Sequence, residues 1–173
     1  TISYQIHSVL DKAMLGVLYQ DNAENGYYEQ AHKIVNMATM VISSYNIVMR
    51  SRMTALFVQK KKKEFEVNFN NSLHFISMLV FPMSFGMAGI AANLVPWFLG
   101  IEYGKVTTLL LIFCPMFIIQ GLRTCIGYNI ITPTGMQSKG NIVQVTSAIT
   151  NVFLNAMLIP KYGAIGATVA SVA

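Results

Sequence analysis

The residues able to do chemistry are few, and most of them stand inside or beside long apolar runs. Asp11 and Lys12 interrupt the first apolar run. Adjacent positions on a helix lie about 100° apart, so the two side chains cannot share one partner. A charge held within a membrane segment costs roughly 2.5–3.5 kcal/mol at the helix centre, which marks both as functional candidates. One or both must face a watery cavity or another helix, the alternative being a structural ion pair with residues elsewhere in the larger chain. Arg50, Arg52 and Arg123 stand near the ends of apolar runs. Arginine there either anchors the helix by reaching the interface or grips an anionic head group or pyrophosphate through its two-pronged fork. Asn151 and Asn155 are four residues apart and share one helix face. They either hydrogen-bond between helices or line a polar cavity, as do the more scattered Asn36, Asn46, Gln120 and Asn129. His32 and His74 open apolar runs and are expected to be hydrogen-bonded helix-end residues rather than proton relays. Cys114 and Cys125 lack the spacing of a metal site or a bridge and read as small embedded residues. No paired-carboxylate string, phosphate-binding glycine loop, HExxH or GxSxG appears. Neither a metal nor a cofactor is expected.

The elements that position these groups are legible from charge. Of 173 residues, 54% are hydrophobic and only 11% charged, against roughly 25% in ordinary soluble domains. Residues 67–101 contain no Asp, Glu, Lys or Arg, a stretch longer than the roughly 20 residues that cross a bilayer. Mean hydropathy is +0.50. Disorder, a nucleic-acid partner and a disulfide scaffold are excluded despite the net charge of +5. The fold class expected is an all-α polytopic membrane protein, a helical bundle of about five complete transmembrane helices and a truncated sixth. The spans fall near residues 1–19, 31–49, 73–99, 106–131, 142–159 and 164–173. Their apolar residues run continuously rather than alternating, so helices are favoured over barrel strands. Pro82 and Pro115 are expected to kink spans 3 and 4. Residues 20–29 read as a polar, acidic connection. Both ends of the sequence fall inside apolar runs, as in a single lobe cut from a larger chain.

The positive-inside rule orients the bundle. Residues 50–66 hold six of the twelve Lys and Arg residues, so that segment is expected to be cytoplasmic, with residues 60–66 a solvated loop. Alternation then puts residues 20–29, 100–105 and 160–163 outside, and 132–141 inside.

Several strings occur in order: LDKAMLG (10–16), GYYEQAHKI (26–34), MRSRM (49–53), FPMSFGMAGIAANLVPWFLGIEY (81–103), ITPTGMQSK (131–139) and NVFLNAMLIPKYGAIGATVAS (151–171). The succession resembles the Wzx-like polysaccharide flippases, the oligosaccharide-lipid transporters of the MOP superfamily. Arg50-Ser-Arg52 departs from the Pro-Arg pair expected at the end of that helix. The resemblance implies two helical lobes of about six spans around a central cavity, with this chain forming most of the second lobe. It implies alternating access, a multi-pass protein of the bacterial cytoplasmic membrane, and an undecaprenyl-diphosphate-linked oligosaccharide as cargo. Membrane lipids and other polysaccharide assembly proteins are the expected partners. The diphosphate needs cationic contacts, for which Lys12, Arg50, Arg52 and Arg123 are available. Lys12, the deepest along its span, is expected first, and Asp11 is expected to couple transport to an ion gradient. A drug/cation antiporter of the MATE type would favour more embedded acids than this. A membrane polymerase would favour a large external loop, and the outside connections are short. A transporter, not an enzyme, is therefore expected.

Overall fold

Apolar runs separated by brief polar strings leave the backbone one way to satisfy its own N–H and C=O groups without water, and that is the helix. The computed structural model describes residues 2–19 and 22–173, apart from the side chains of 2–8 and 22. The helices are α1 (Ile2–Leu18), α2 (Asn22–Val58), α3 (Lys62–Phe98), α4 (Gly104–Ile126), α5 (Gln137–Tyr162) and α6 (Ala164–Val172). A 3₁₀ turn (Ile101–Tyr103) leads into α4, and a π turn (Gly127–Ile131) leaves it. No strand occurs among the described residues. The chain is a multi-pass membrane protein. By length and composition α3, the segment of residues 101–131 and α5 can each cross a bilayer. Against the five complete spans expected, α1 has 17 residues. The apolar residues of α2 are diluted by Asn36, Thr39, Ser43, Ser44 and Asn46.

The helices outrun the sequence-based spans, and one expectation is corrected. The acidic connection expected at 20–29 is helical from Asn22 onward. The cause is a single buried stripe: Glu24, Tyr28, Ala31, Val35, Thr39, Ile42, Asn46, Met53 and Leu56 recur at helical spacing along one face of α2. The basic segment at 50–66 is likewise mostly helix, with a tight turn between Val58 and Lys62. Lys60 takes a positive φ of 57° there. Pro82 and Pro96 lie within α3, and Pro115 within α4.

Burial follows the logic of a membrane protein. On α3, Ser72, Ile76, Val80, Ser84, Ala91 and Val95 are buried, while Met78, Phe85 and Trp97 are exposed. On α5 the pattern is polar inside and apolar outside: Asn151 and Asn155 are buried, whereas Val145, Ile149 and Phe153 are exposed. Water would not favour that arrangement, and lipid does. Helix α4 is central, packing on α2, α3 and α6. Its Leu109, Leu110, Phe113 and Phe117 join Leu15, Tyr28, Val35, Ala91, Val95 and Ala167 in the main core. Ser84 ties α3 to α4 by donating to the Cys114 carbonyl at 2.8 Å. Cys114 and Cys125 are free and buried.

Candidate functional site

Asp11 is the centre of a buried polar cluster joining four helices. It is 1% exposed. Its Oδ2 accepts from Tyr28 Oη of α2 at 2.8 Å and from Ser171 Oγ of α6 at 2.8 Å. Its Oδ1 accepts from Asn155 Nδ2 of α5 at 2.5 Å. The same Asn155 amide donates to Asn151 Oδ1 at 3.1 Å, whereas Asn155 Oδ1 is buried without a hydrogen-bond partner. The Tyr28 ring stacks against His32, with centroids 5.8 Å apart, and tilts against Phe113 at 5.9 Å. Packing thus holds the phenol in place, and the His32 ring nitrogen Nδ1 lies 3.0 Å from the Asn36 amide.

The cluster opens onto a cleft of about 470 Å³ among α1, α2, α4, α5 and α6, lined by Asp11, His32, Gln120, Arg123, Thr146, Ser147, Thr150, Asn151 and Ser171. Hydroxyl, amide and guanidinium groups share this wall with Met116, Ile119, Ile142 and Val143. A second cleft of about 430 Å³ adjoins it, lined by Arg123, Tyr128, Gln137, Lys139, Asn141 and Gln144 among others. Arg123, Val143 and Ser147 belong to both. Arg123 therefore stands where the two clefts meet.

The structure brings together only part of the expected set. Asp11, Arg123 and Asn151 line the first cleft, and Asn155 bonds to Asp11 directly behind it. Asn155 thus bonds to another helix, while Asn151 borders the cleft. Lys12 does not line either cleft. Its ammonium lies 3.6 Å from Glu29 of α2, a partner within the described residues. Arg50 lies over the Tyr128 ring at 5.7 Å, at the edge of the second cleft, and Arg52 is exposed on α2. His74 is exposed at the start of the apolar part of α3, its Nδ1 2.9 Å from the Asn70 carbonyl. Among the described residues no group of His, Cys, Asp and Glu could hold a metal ion. Tyr28 and Ser171 were missed from sequence. Tyr28 stood in an expected loop, and Ser171 only completed a small-residue face with Gly163 and Ala167.

Glu29 lies ahead of the apolar part of α2. The hydrogen bond from Lys33, then the charge of Lys12, holds its carboxyl below the usual glutamate range. A depressed folded pKa contributes stability above the unfolded value, and this is lost as pH falls through the folded one. Glu29→Gln is thus expected to lower stability at pH 7 by under about 1 kcal/mol, as exposed pairs do. The difference should vanish in acid below the ordinary glutamate range. Thermal unfolding of wild type and variant in detergent at both pH values checks this; a difference that persists in acid would refute it.

Comparison with known proteins adds a family. A family model described as polysaccharide biosynthesis protein matches residues 1–108. The chain belongs to that family. The match takes in α1, α2, α3 and the first residues of α4, and so includes Asp11, Tyr28 and His32. This polysaccharide biosynthesis family member is also similar to the probable low-salt glycan biosynthesis flippase Agl15 of Haloferax volcanii. The two are 21% identical over 173 residues, covering 99% of this chain and 36% of the relative. The chain thus spans about a third of the length of the curated relative it matches. No solved structure matches it.

Proposed function

We propose that the protein moves a glycan across the cytoplasmic membrane as a lipid-linked oligosaccharide, by alternating access. In this reading residues 1–173 form one lobe, and the clefts beside α5 face a second lobe across the central cavity. The observation that carries the reading is the inverted polarity of α5 and its neighbours. Hydroxyl, amide and guanidinium groups gather in a cleft among apolar helices, as a hydrated glycan would need, because polar groups stripped of water and left unpaired are costly. The prenyl tail stays in the lipid, against the apolar outer faces. The diphosphate is held by arginine, whose planar fork matches phosphate oxygens in pairs. Arg123 takes this role first, since it borders both clefts. Arg50 and Arg52 assist at the cytoplasmic ends, and Lys12 joins only if its pair with Glu29 opens. Asp11 couples the cycle to an ion gradient. The family match and the flippase-named relative support a transporter rather than an enzyme.

The test is export of lipid-linked glycan in cells depleted of the native protein and supplied with variants. A charge-assisted hydrogen bond is worth about 1.5–3 kcal/mol, so Arg123→Ala is expected to reduce export about tenfold to a hundredfold. Membrane levels should stay normal, and Arg123→Lys should lie between. Lys12→Ala should have a smaller effect. Undiminished export by Arg123→Ala would reject the assignment of Arg123, and an absence of lipid-linked glycan on the cytoplasmic side of depleted cells would reject the transport reading itself.

A further inference from the structure

We propose that the groove between the end of α2 and the start of α3 is a docking site for an acidic amphipathic helix of a partner protein. The groove has a volume of about 720 Å³. Leu56, Phe57 and Val58 of α2 and Phe65 of α3 make it apolar, and Lys60, Lys61 and Lys62 border it from the turn between the helices. Thr134, from the connection between α4 and α5, adds to the same wall. Phe57 is 47% and Val58 74% exposed. In lipid such exposure would need no partner, but the groove lies past the lipid. Helices α2 and α3 have 37 residues each, about 55 Å at 1.5 Å per residue, against about 40–45 Å for a bilayer with its head groups. Trp97, exposed near the far end of α3, suits the aromatic belt of the opposite interface, so the excess projects at the end that carries the lysines. The sequence has the same order. On α2 the apolar string MTALFV (53–58) returns after Arg50-Ser-Arg52, and on α3 Asn68, Asn70 and Asn71 separate Phe65 from the long apolar part. An apolar patch rimmed by charge and standing in water marks an interaction surface.

The shape and the charge of the groove select the occupant. Its walls are helices and a connection, and among the described residues no sheet edge is offered, so an added strand would find no backbone partners. A groove between two helices instead receives the side chains that a helix presents at i, i+3, i+4 and i+7. Residues 60–66 hold four lysines and two glutamates. Lys61 lies 3.3 Å from Glu64 and Lys62 4.0 Å from Glu66, and exposed pairs of this kind are weak. Among the described residues Lys60 and Lys63 make no ion pair. Lys60 holds a φ of 57°, a conformation that favours glycine, and so the turn itself sets an unpaired ammonium beside the groove. Carboxylates flanking the apolar face of an incoming helix would meet these lysines, which steers the encounter and fixes the register. A basic helix would be repelled. The inference is independent of transport and is measured without it.

The experiment uses the intact full-length protein in phosphatidylcholine nanodiscs, with binding to empty nanodiscs subtracted. The probe is a fluorescent helical peptide of about 18 residues, with leucine at i, i+3, i+4 and i+7 and glutamate and alanine elsewhere. Fluorescence anisotropy is expected to show saturable binding that weakens about tenfold when sodium chloride rises from about 0.05 to about 0.5 M. A scrambled peptide, and one with lysine in place of glutamate, should not bind. Phe57→Ser and Lys60→Gly should each weaken binding several-fold and leave the thermal midpoint unchanged, since both side chains are exposed and glycine suits the turn. Lys60→Glu combined with Lys62→Glu should reverse the preference, so that the lysine peptide binds and the glutamate peptide does not. Absence of binding to the full-length protein would overturn the inference, the groove then being covered by the rest of the chain. So would binding that Phe57→Ser and the double glutamate variant leave unaltered. A spin label on Val58→Cys, with Cys114 and Cys125 replaced by alanine, tests the lipid alternative. It should be quenched by a water-soluble nickel complex, and quenching by lipid-dissolved oxygen instead would place the groove in the membrane and overturn the inference.

Discussion

Replacing Gly121 by leucine is expected to lower the thermal midpoint of the purified protein by about 6 °C or more, and to leave much of it aggregated after mild heating. A Cβ at this position would meet Val80 Cγ1 at 2.3 Å, with Ile76 Cγ2 at 3.5 Å. Val80 is fully buried, so it has no space to retreat into. Helices α3 and α4 form the most extensive pairing among the described helices, and the glycine leaves room for Val80 of α3 against α4. Such an approach matters more in lipid than in water. Lipid tails are as apolar as leucine, so helices associate by close packing and hydrogen bonds rather than by hydrophobic burial. Overpacking a tight interior costs about 1–3 kcal/mol even for modest additions, and leucine adds four carbons. Gly121→Ala should cost less, and Val80→Ala made together with it should restore most of the loss. A Gly121→Leu protein as stable as wild type would refute the account. So would a Val80→Ala change that fails to rescue Gly121→Ala.

The second large effect is expected at Glu24. This residue is 4% exposed. Its Oε2 accepts from the Ala164 N–H at 2.9 Å, and its Oε1 takes the Lys105 ammonium. One carboxylate therefore joins α2, α4 and α6. It also caps α6 from another helix. Gly163, the residue before α6, has no side chain to do so, and the exposed N–H groups of a helix start attract negative charge. Gly163 itself adopts φ 57° and ψ −131°, a conformation suited to glycine, and a Cβ there would lie 2.8 Å from Glu24 Oε2. Glu24→Ala is expected to cost about 2–4 kcal/mol, since it strands a buried N–H and part of an ammonium. Glu24→Gln keeps an acceptor for Ala164 and should cost about half as much. Lys105 is partly exposed, so Lys105→Met should be milder than Glu24→Ala. Thermal unfolding of the three variants orders them, and protease access to the α5–α6 junction should rise most in Glu24→Ala. An unchanged midpoint in Glu24→Ala would remove Glu24 from this role.

The sequence by itself determined the class of protein and the placement of its apolar helices. Those features are local: continuous apolar runs, the absence of charge from residues 67–101 and the glycine and proline between runs each act on their own stretch of chain. It also singled out Asp11, Arg123, Asn151 and Asn155, because a polar group inside an apolar run is conspicuous wherever it points. The tertiary structure alone decided which of them meet. Asp11 and Asn155 lie 144 positions apart, and only the packing of α1 on α5 brings them together. It set Lys12 beside Glu29 and Arg123 in the walls of both clefts, since depth along a span says nothing about which side of the helix faces a cleft. It also turned an apparent acidic loop into the first turns of α2. Three acids among polar residues read as solvated chain, yet Glu24 and Tyr28 sit four apart on the buried face, and their partners, Ala164, Lys105 and Ser171, arrive from helices far along the chain. A polar residue is costly in lipid until its partner is in place, and for this protein most partners are distant in sequence.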